Sequence, residues 1–92
     1  WDINIISGTD SIQLFGDYCL GLELMSNAGM SNQEIITSST SLAAQAIGVD
    51  RAVGTISPGK CADLIVVEKD PLRDITALRD ISMIMREGEI IN

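Results

Sequence analysis

Asp10 is the residue whose setting in the sequence points most directly at chemistry. It follows the β-branched run Ile3-Asn4-Ile5-Ile6 and the turn-forming residues Ser7-Gly8-Thr9. In a barrel of parallel strands, catalytic side chains stand at the carboxyl ends of the strands. A carboxylate there could ligate a metal ion or accept a proton. Taken alone, Gly8-Thr9-Asp10 is an unspecific signal, because an Asp after a strand more often closes a turn or caps a helix. The other reactive residue types are scarce. The chain has no His, and its two cysteines, Cys19 and Cys61, form no C-x-x-C pair. A zinc site of thiolates and imidazoles therefore cannot be assembled within these residues. Both cysteines are expected to be free thiols of a cytoplasmic protein. Ser11 could touch a substrate or stand in solvent. Asp17, Glu23 and Glu34 read as helix cap and surface residues.

The elements that would position Asp10 follow from local patterns. Ile3 to Ile6 is apolar apart from Asn4, which suits a strand buried on both faces of a parallel sheet. Residues 17–28 read as a helix. Tyr18, Leu22 and Met25 share a face, Asp17 is the N-cap and Gly29 the stop. Ser31 and Glu34 form a capping box, with Met30 and Ile35 at the positions of a hydrophobic staple. Ile35, Ile36, Ser39, Leu42, Ala43, Ala46 and Ile47 then continue one helical face to Gly48. The Ser38–Ser41 run lowers helix propensity, so packing must hold the middle of that helix.

After Gly48 the pattern becomes β-like. Gly54-Thr55-Ile56 reads as a short extended piece, and Ser57-Pro58-Gly59-Lys60 as a type II turn. Residues 62–68 form a strand, and 69–72 a turn. Asp74 caps a single helical turn. Residues 81–86 and 89–91 form two strands joined by the two-residue hairpin Glu87-Gly88. The chain thus divides near residue 50: 1–49 as strand and two helices, 50–92 as a small β unit.

Composition narrows the class. Ninety-two residues make at most one small domain, and a chain of this size buries only roughly 60–65% of its unfolded surface. Apolar residues reach 46%, with three aromatics, so Ile, Leu, Val, Met and Ala must build the core. A net charge of −7 argues against nucleic acid and anionic membrane surfaces as partners. No apolar run is long enough to span a bilayer. The first residue is Trp1, so a segment of a longer protein is expected, with any N-terminal signal outside it.

Five segments carry a resemblance. Gly8-Thr9-Asp10-Ser11 resembles the end of the eighth barrel strand in the amidohydrolase superfamily. Residues 22–31 (LELMSNAGMS) resemble the next helix and turn of its imidazolonepropionase-like and prolidase-like branch. Residues 38–48 (SSTSLAAQAIG) resemble a helix of that branch ending in Leu-Gly. Residues 54–67 (GTISPGKCADLIVV) resemble its G-x-I-x-P-G-K-x-A-D-L-V segment, and Asp70-Pro71-Leu72-Arg73-Asp74-Ile75 its D-P-L-x-D-I turn. Each is unspecific alone; together they run in order along nearly the whole chain. The resemblance implies an α/β fragment: the last strand and following helices of a (β/α)8 barrel, plus the C-terminal part of a small β-sandwich.

It further implies a metal-dependent hydrolase of carbon–nitrogen bonds in amides, cyclic amides or related compounds. A divalent metal, usually zinc, activates water in such enzymes. The Asp matching Asp10 ligates the metal and shuttles the proton. The remaining ligands, His and a carboxylated Lys or Glu, lie on earlier strands, so the isolated chain is expected to be inactive. Many relatives carry His-Gly just before the first helix, where this chain has Phe15-Gly16. Asp63, Pro58, Gly59 and Lys60 are expected to be structural. The expected partners are a small-molecule amide-type substrate in the longer protein and further copies of the chain in a homo-oligomer. The alternative is a non-catalytic scaffolding or dimerisation domain.

Overall fold

The computed structural model describes residues 3–8 and 17–91. Helix α1 spans Tyr18–Asn27 and opens on Asp17, whose carboxylate accepts a hydrogen bond from the Leu20 N–H at 3.1 Å. Helix α2 spans Asn32–Ser39. Its capping box is complete: the Glu34 N–H donates to Ser31 Oγ and the Ser31 N–H to Glu34 Oε1, each at 3.1 Å. The two helices bury Leu22 and Ile35, the latter fully.

The helix expected to continue to Ile47 instead breaks at Thr40, where φ is −125° and ψ −92°; α3 then spans Ser41–Ala46. The hydroxyl run explains the break. Ser38 and Ser39 both donate to the Ile35 carbonyl, at 2.6 and 3.0 Å, and Thr40 donates to the Ile36 carbonyl at 2.7 Å. Hydroxyls that bond back onto the preceding turn compete with the backbone ladder and bend helices.

Ile3 to Ile6 forms no strand. Ile3, Ile5 and Ile6 remain 45–67% exposed. A strand is stable only against neighbouring strands, and the described residues offer none beside it. A backbone hydrogen bond, from the Ser7 N–H to the Ser38 carbonyl at 3.3 Å, ties this segment to α2.

The expected extended piece at Gly54-Thr55-Ile56 is a bend packed on α3. Gly54 has φ +100°, and a Cβ there would lie 2.6 Å from that of Ala44, so any side chain would force the loop off the helix. The Ser57–Lys60 turn closes through the Lys60 N–H and Ser57 carbonyl at 3.3 Å, with Gly59 at φ +88° as a type II turn requires. Lys60 Nζ reaches the Asp50 carbonyl and Thr55 Oγ1, at 2.5 and 2.7 Å, and pins the loop.

Strands β1 (Leu64–Val67), β2 (Ile81–Arg86) and β3 (Glu89–Ile90) form an antiparallel sheet in that order. Leu64 pairs with Met85, Val66 with Met83 and Met85 with Ile90, and a bulge lies between Val66 and Val67. The β2–β3 turn has positive φ at both Glu87 (51°) and Gly88 (83°), the type I′ form that matches the twist of a hairpin. Asp63 fixes this turn: its Oδ1 accepts the Glu87 N–H at 2.8 Å, while the Ala62 carbonyl accepts the Gly88 N–H at 3.1 Å. Between β1 and β2, a 3-10 helix spans Ile75–Arg79, capped by Asp74, which accepts from the N–H and hydroxyl of Thr76.

Ile75 joins Leu22 and Ile35 in the core, with Met25, Met30, Ile36 and Leu78 packed around them. Each such side chain contributes about 1.5–3 kcal/mol when fully buried. The described residues thus form a small α/β unit, three short helices followed by a three-stranded sheet. Among the described residues no helix is long and apolar enough to cross a membrane.

Two stability effects follow. Ser31→Ala should lower stability by about 0.5–2 kcal/mol through loss of the N-cap; equal unfolding midpoints would show that the cap contributes nothing. Asp63→Ala should loosen the hairpin at a cost of about 1 kcal/mol, the usual net value of one hydrogen bond. The check is faster amide exchange at Glu87 in the variant than in the wild type.

Candidate functional site

Asp10, Ser11 and Phe15-Gly16 lie outside the described residues. What the structure describes is how the chain is held on either side of them.

On the amino side the anchor is Ser7, three residues before Asp10. Its hydroxyl touches the Tyr18 hydroxyl at the start of α1 and lies 3.0 Å from Ser39 Oγ on α2. Ser39 gives its proton to the Ile35 carbonyl, so Ser7 must donate to Ser39 and accept from Tyr18. The chain of hydrogen bonds runs from Tyr18 through Ser7 and Ser39 to the Ile35 carbonyl, which accepts the last proton. A cleft of about 220 Å³ opens beside it, lined by Ile5–Gly8 and by Tyr18, Gly21, Leu22 and Met25.

On the carboxyl side the anchor is Asp17. Arg79, at the end of the 3-10 helix, donates from Nε to Glu23 Oε2 at 2.6 Å and from Nη2 to Asp17 Oδ2 at 3.1 Å. These bonds tie both α1 carboxylates to the C-terminal half. The Arg79 guanidinium, then the Leu20 N–H, hold the Asp17 carboxyl below its ordinary 3.8, and the two carboxylates raise the pKa of Arg79. The Ser31 N–H and hydroxyl lower that of Glu34, and Thr76 that of Asp74. All three acids cap helices, in keeping with the sequence reading of Asp17, Glu34 and Asp74.

The other sequence-marked residues do not converge on one site. A groove of about 730 Å³ between α3 and β1 contains Cys61 and Asp63. Its lining is otherwise apolar or hydroxylic, and Asp63 is engaged by the hairpin. Cys19 and Cys61 are free thiols. No group of three or more His, Cys, Asp or Glu side chains that could hold a metal occurs among the described residues. With no His in the chain, a metal of the usual hydrolase type does not fit these 92 residues alone. Sequence reasoning missed Arg79 and the Tyr18–Ser7–Ser39 contacts. No local pattern could have found Arg79, because its partners lie 56 and 62 positions away in the sequence.

Removing that cation has a defined pH signature. Asp17, lowered in the folded state, stabilises the fold above its ordinary pKa and ceases to do so as pH falls through its folded value. Arg79→Met should therefore lower the unfolding midpoint at about pH 7, and the difference from wild type should vanish near pH 2. A difference that persists undiminished in acid would assign the effect to packing instead.

Comparison with known proteins places this architecture. No curated protein matches the chain. Among solved structures, it superposes with a TM-score of 0.89 and 30% identity on a Xaa-Pro dipeptidase that has methionine bound in its active site, covering 96% of this chain and 22% of that one. On molinate hydrolase the TM-score is 0.80 with 33% identity, covering 83% and 16%. On phenylurea hydrolase B it is 0.78 with 32% identity, covering 83% and 17%. The chain thus spans about a fifth of the length of these structures. Residues 2–91 match the amidohydrolase family, and the chain belongs to that family.

Proposed function

We propose that these residues are the C-terminal part of a metal-dependent hydrolase of carbon–nitrogen bonds, with Asp10 as a catalytic residue. The observation that carries this reading is the superposition of 96% of the chain, at 30% identity, on a Xaa-Pro dipeptidase. In this reading Ile3 to Ile6 belongs to the last strand of a (β/α)8 barrel, and the β1–β3 sheet to a small β-sandwich. The exposed apolar side chains support it. Ile3, Leu24, Ile47 and Ile56 are 57–87% exposed, and the rest of a longer protein would cover such surface.

The chemistry assigned to this chain is proton transfer at Asp10. Its carboxylate takes a proton from the water that attacks the carbonyl carbon. It returns that proton to the nitrogen as the C–N bond breaks, so water is added across the bond and the carboxylate is regenerated. A divalent metal, zinc in this proposal, would lower the pKa of that water, with its other ligands supplied from outside these 92 residues. The substrate class is a small amide-like molecule. The similar structures are named for a dipeptide, for molinate and for a phenylurea.

The test is Asp10→Asn in the full-length protein, assayed on Xaa-Pro dipeptides, N-acyl amino acids and cyclic imides. Turnover should fall at least roughly 100-fold, because the amide cannot accept the proton. Asp63→Asn should leave turnover near wild type. Normal turnover in Asp10→Asn, or no hydrolysis of any of these substrates by the wild type, would overturn the proposal.

A further inference from the structure

We propose that residues 68–80 form a strap that opens and closes as one piece over α1 and controls access to the Cys19 thiol. Neighbouring antiparallel strands are usually joined by about 2–5 residues. Here β1 and β2 are paired neighbours, yet the chain between them leaves the sheet, crosses to the helices and returns. The excursion closes at its base, where the Glu68 N–H donates to the Asp80 carbonyl at 3.2 Å. Compact surface loops whose ends meet in this way frequently carry a function.

The strap holds its own shape. The Asp70 carbonyl accepts the N–H groups of Arg73 and Asp74, at 3.1 and 3.2 Å, and the Asp70 carboxylate accepts that of Leu72 at 2.9 Å. Asp74 caps the 3-10 helix, in which the Ala77 N–H donates to the Asp74 carbonyl and the Asp80 N–H to the Ala77 carbonyl. All of these bonds lie inside the strap, so lifting it breaks none of them.

Its grip on the helices is a separate set of contacts. Ile75 is the plug, packed in the core with Leu22 and Ile35. Three polar contacts stand around it. Asn32 Nδ2 donates to the Leu72 carbonyl at 3.0 Å, Cys19 Sγ to the Leu78 carbonyl at 3.9 Å, and Arg79 to Asp17 and Glu23. One apolar plug with solvated contacts at its rim is an attachment that opens locally while the rest stays folded. Cys19, half-buried against Leu78, is the reactive group that this opening uncovers.

The inference is independent of the hydrolase reading, and its test measures no turnover. In the full-length protein, alkylation of Cys19 and Cys61 by iodoacetamide is followed by mass spectrometry of the two peptides, in wild type, Ile75→Ala and Arg79→Met. Wild-type Cys19 should react at least roughly tenfold more slowly than in the urea-unfolded protein. Ile75→Ala should quicken it at least roughly tenfold, because the plug is truncated. Arg79→Met should quicken it roughly two- to fivefold, the range of a surface ion pair. Loss of a nearby cation would by itself slow a thiol, so quickening reports opening. Cys61, in the groove between α3 and β1, should keep its wild-type rate in both variants. Exchange of the Ala77 and Asp80 amides should stay near wild type in Arg79→Met, because their bonds travel with the strap. That variant keeps the plug and decides the matter should Ile75→Ala fail to fold. Wild-type Cys19 as reactive as in the unfolded protein, or an unchanged rate in Arg79→Met, overturns the proposal. Exchange at Ala77 and Asp80 that quickens in step with alkylation also overturns it, because the segment then unfolds instead of lifting.

Discussion

The molecule depends on Ile35 twice. Its side chain is the fully buried centre where α1, α2 and the 3-10 helix meet, against Leu22 and Ile75. Its carbonyl oxygen takes the hydroxyls of Ser38 and Ser39, and through Ser39 the chain of contacts continues to Ser7 and Tyr18. Apolar burial supplies most of the stabilisation, but it has no direction. The carbonyl does. One residue therefore fixes both how the helices pack and where the segment leading to Asp10 is attached.

The charged contacts have a narrower task. Arg79 bridges Asp17 and Glu23 at the surface, where ion pairs contribute little to net stability. What they supply is direction. A planar guanidinium meeting two carboxylates on successive turns of α1 sets that helix's rotation against the 3-10 helix. The start of α1 is thereby held from the C-terminal half. Ser7 and Asp17 are each held by polar contacts.

What was legible in the sequence was local. Ser31 and Glu34 announced a helix start because both partners lie within one turn. Glu87-Gly88 announced the hairpin and Asp74 its helical turn for the same reason. Asp63 was readable as structural, but its partner was not, because the turn it serves lies 24 residues away. The break at Thr40 was not readable, because the apolar period runs straight through it and only the direction of three hydroxyls reveals the bend. Ile3 to Ile6 has the composition of a buried strand, yet strand character depends on neighbours that these residues lack. Arg79 joins residues 56 and 62 positions away, beyond any local rule. Around the candidate site, the sequence marked Asp10 and the cap Asp17, and left unmarked the long-range contacts of Ser7 and Arg79.

The order of the sheet has a consequence for assembly. Strands β1, β2 and β3 are neighbours in the sheet and neighbours along the chain, with no crossover. Contacts between residues close in sequence carry a small loop-closure entropy, and topologies dominated by them form fast. The Ser7–Ser39 contact spans 32 residues and requires α2 to be in place first. In kinetic terms, the end of this chain carries its own low-contact-order nucleus. The attachment of the segment before Asp10 belongs to the slower, later stage of folding.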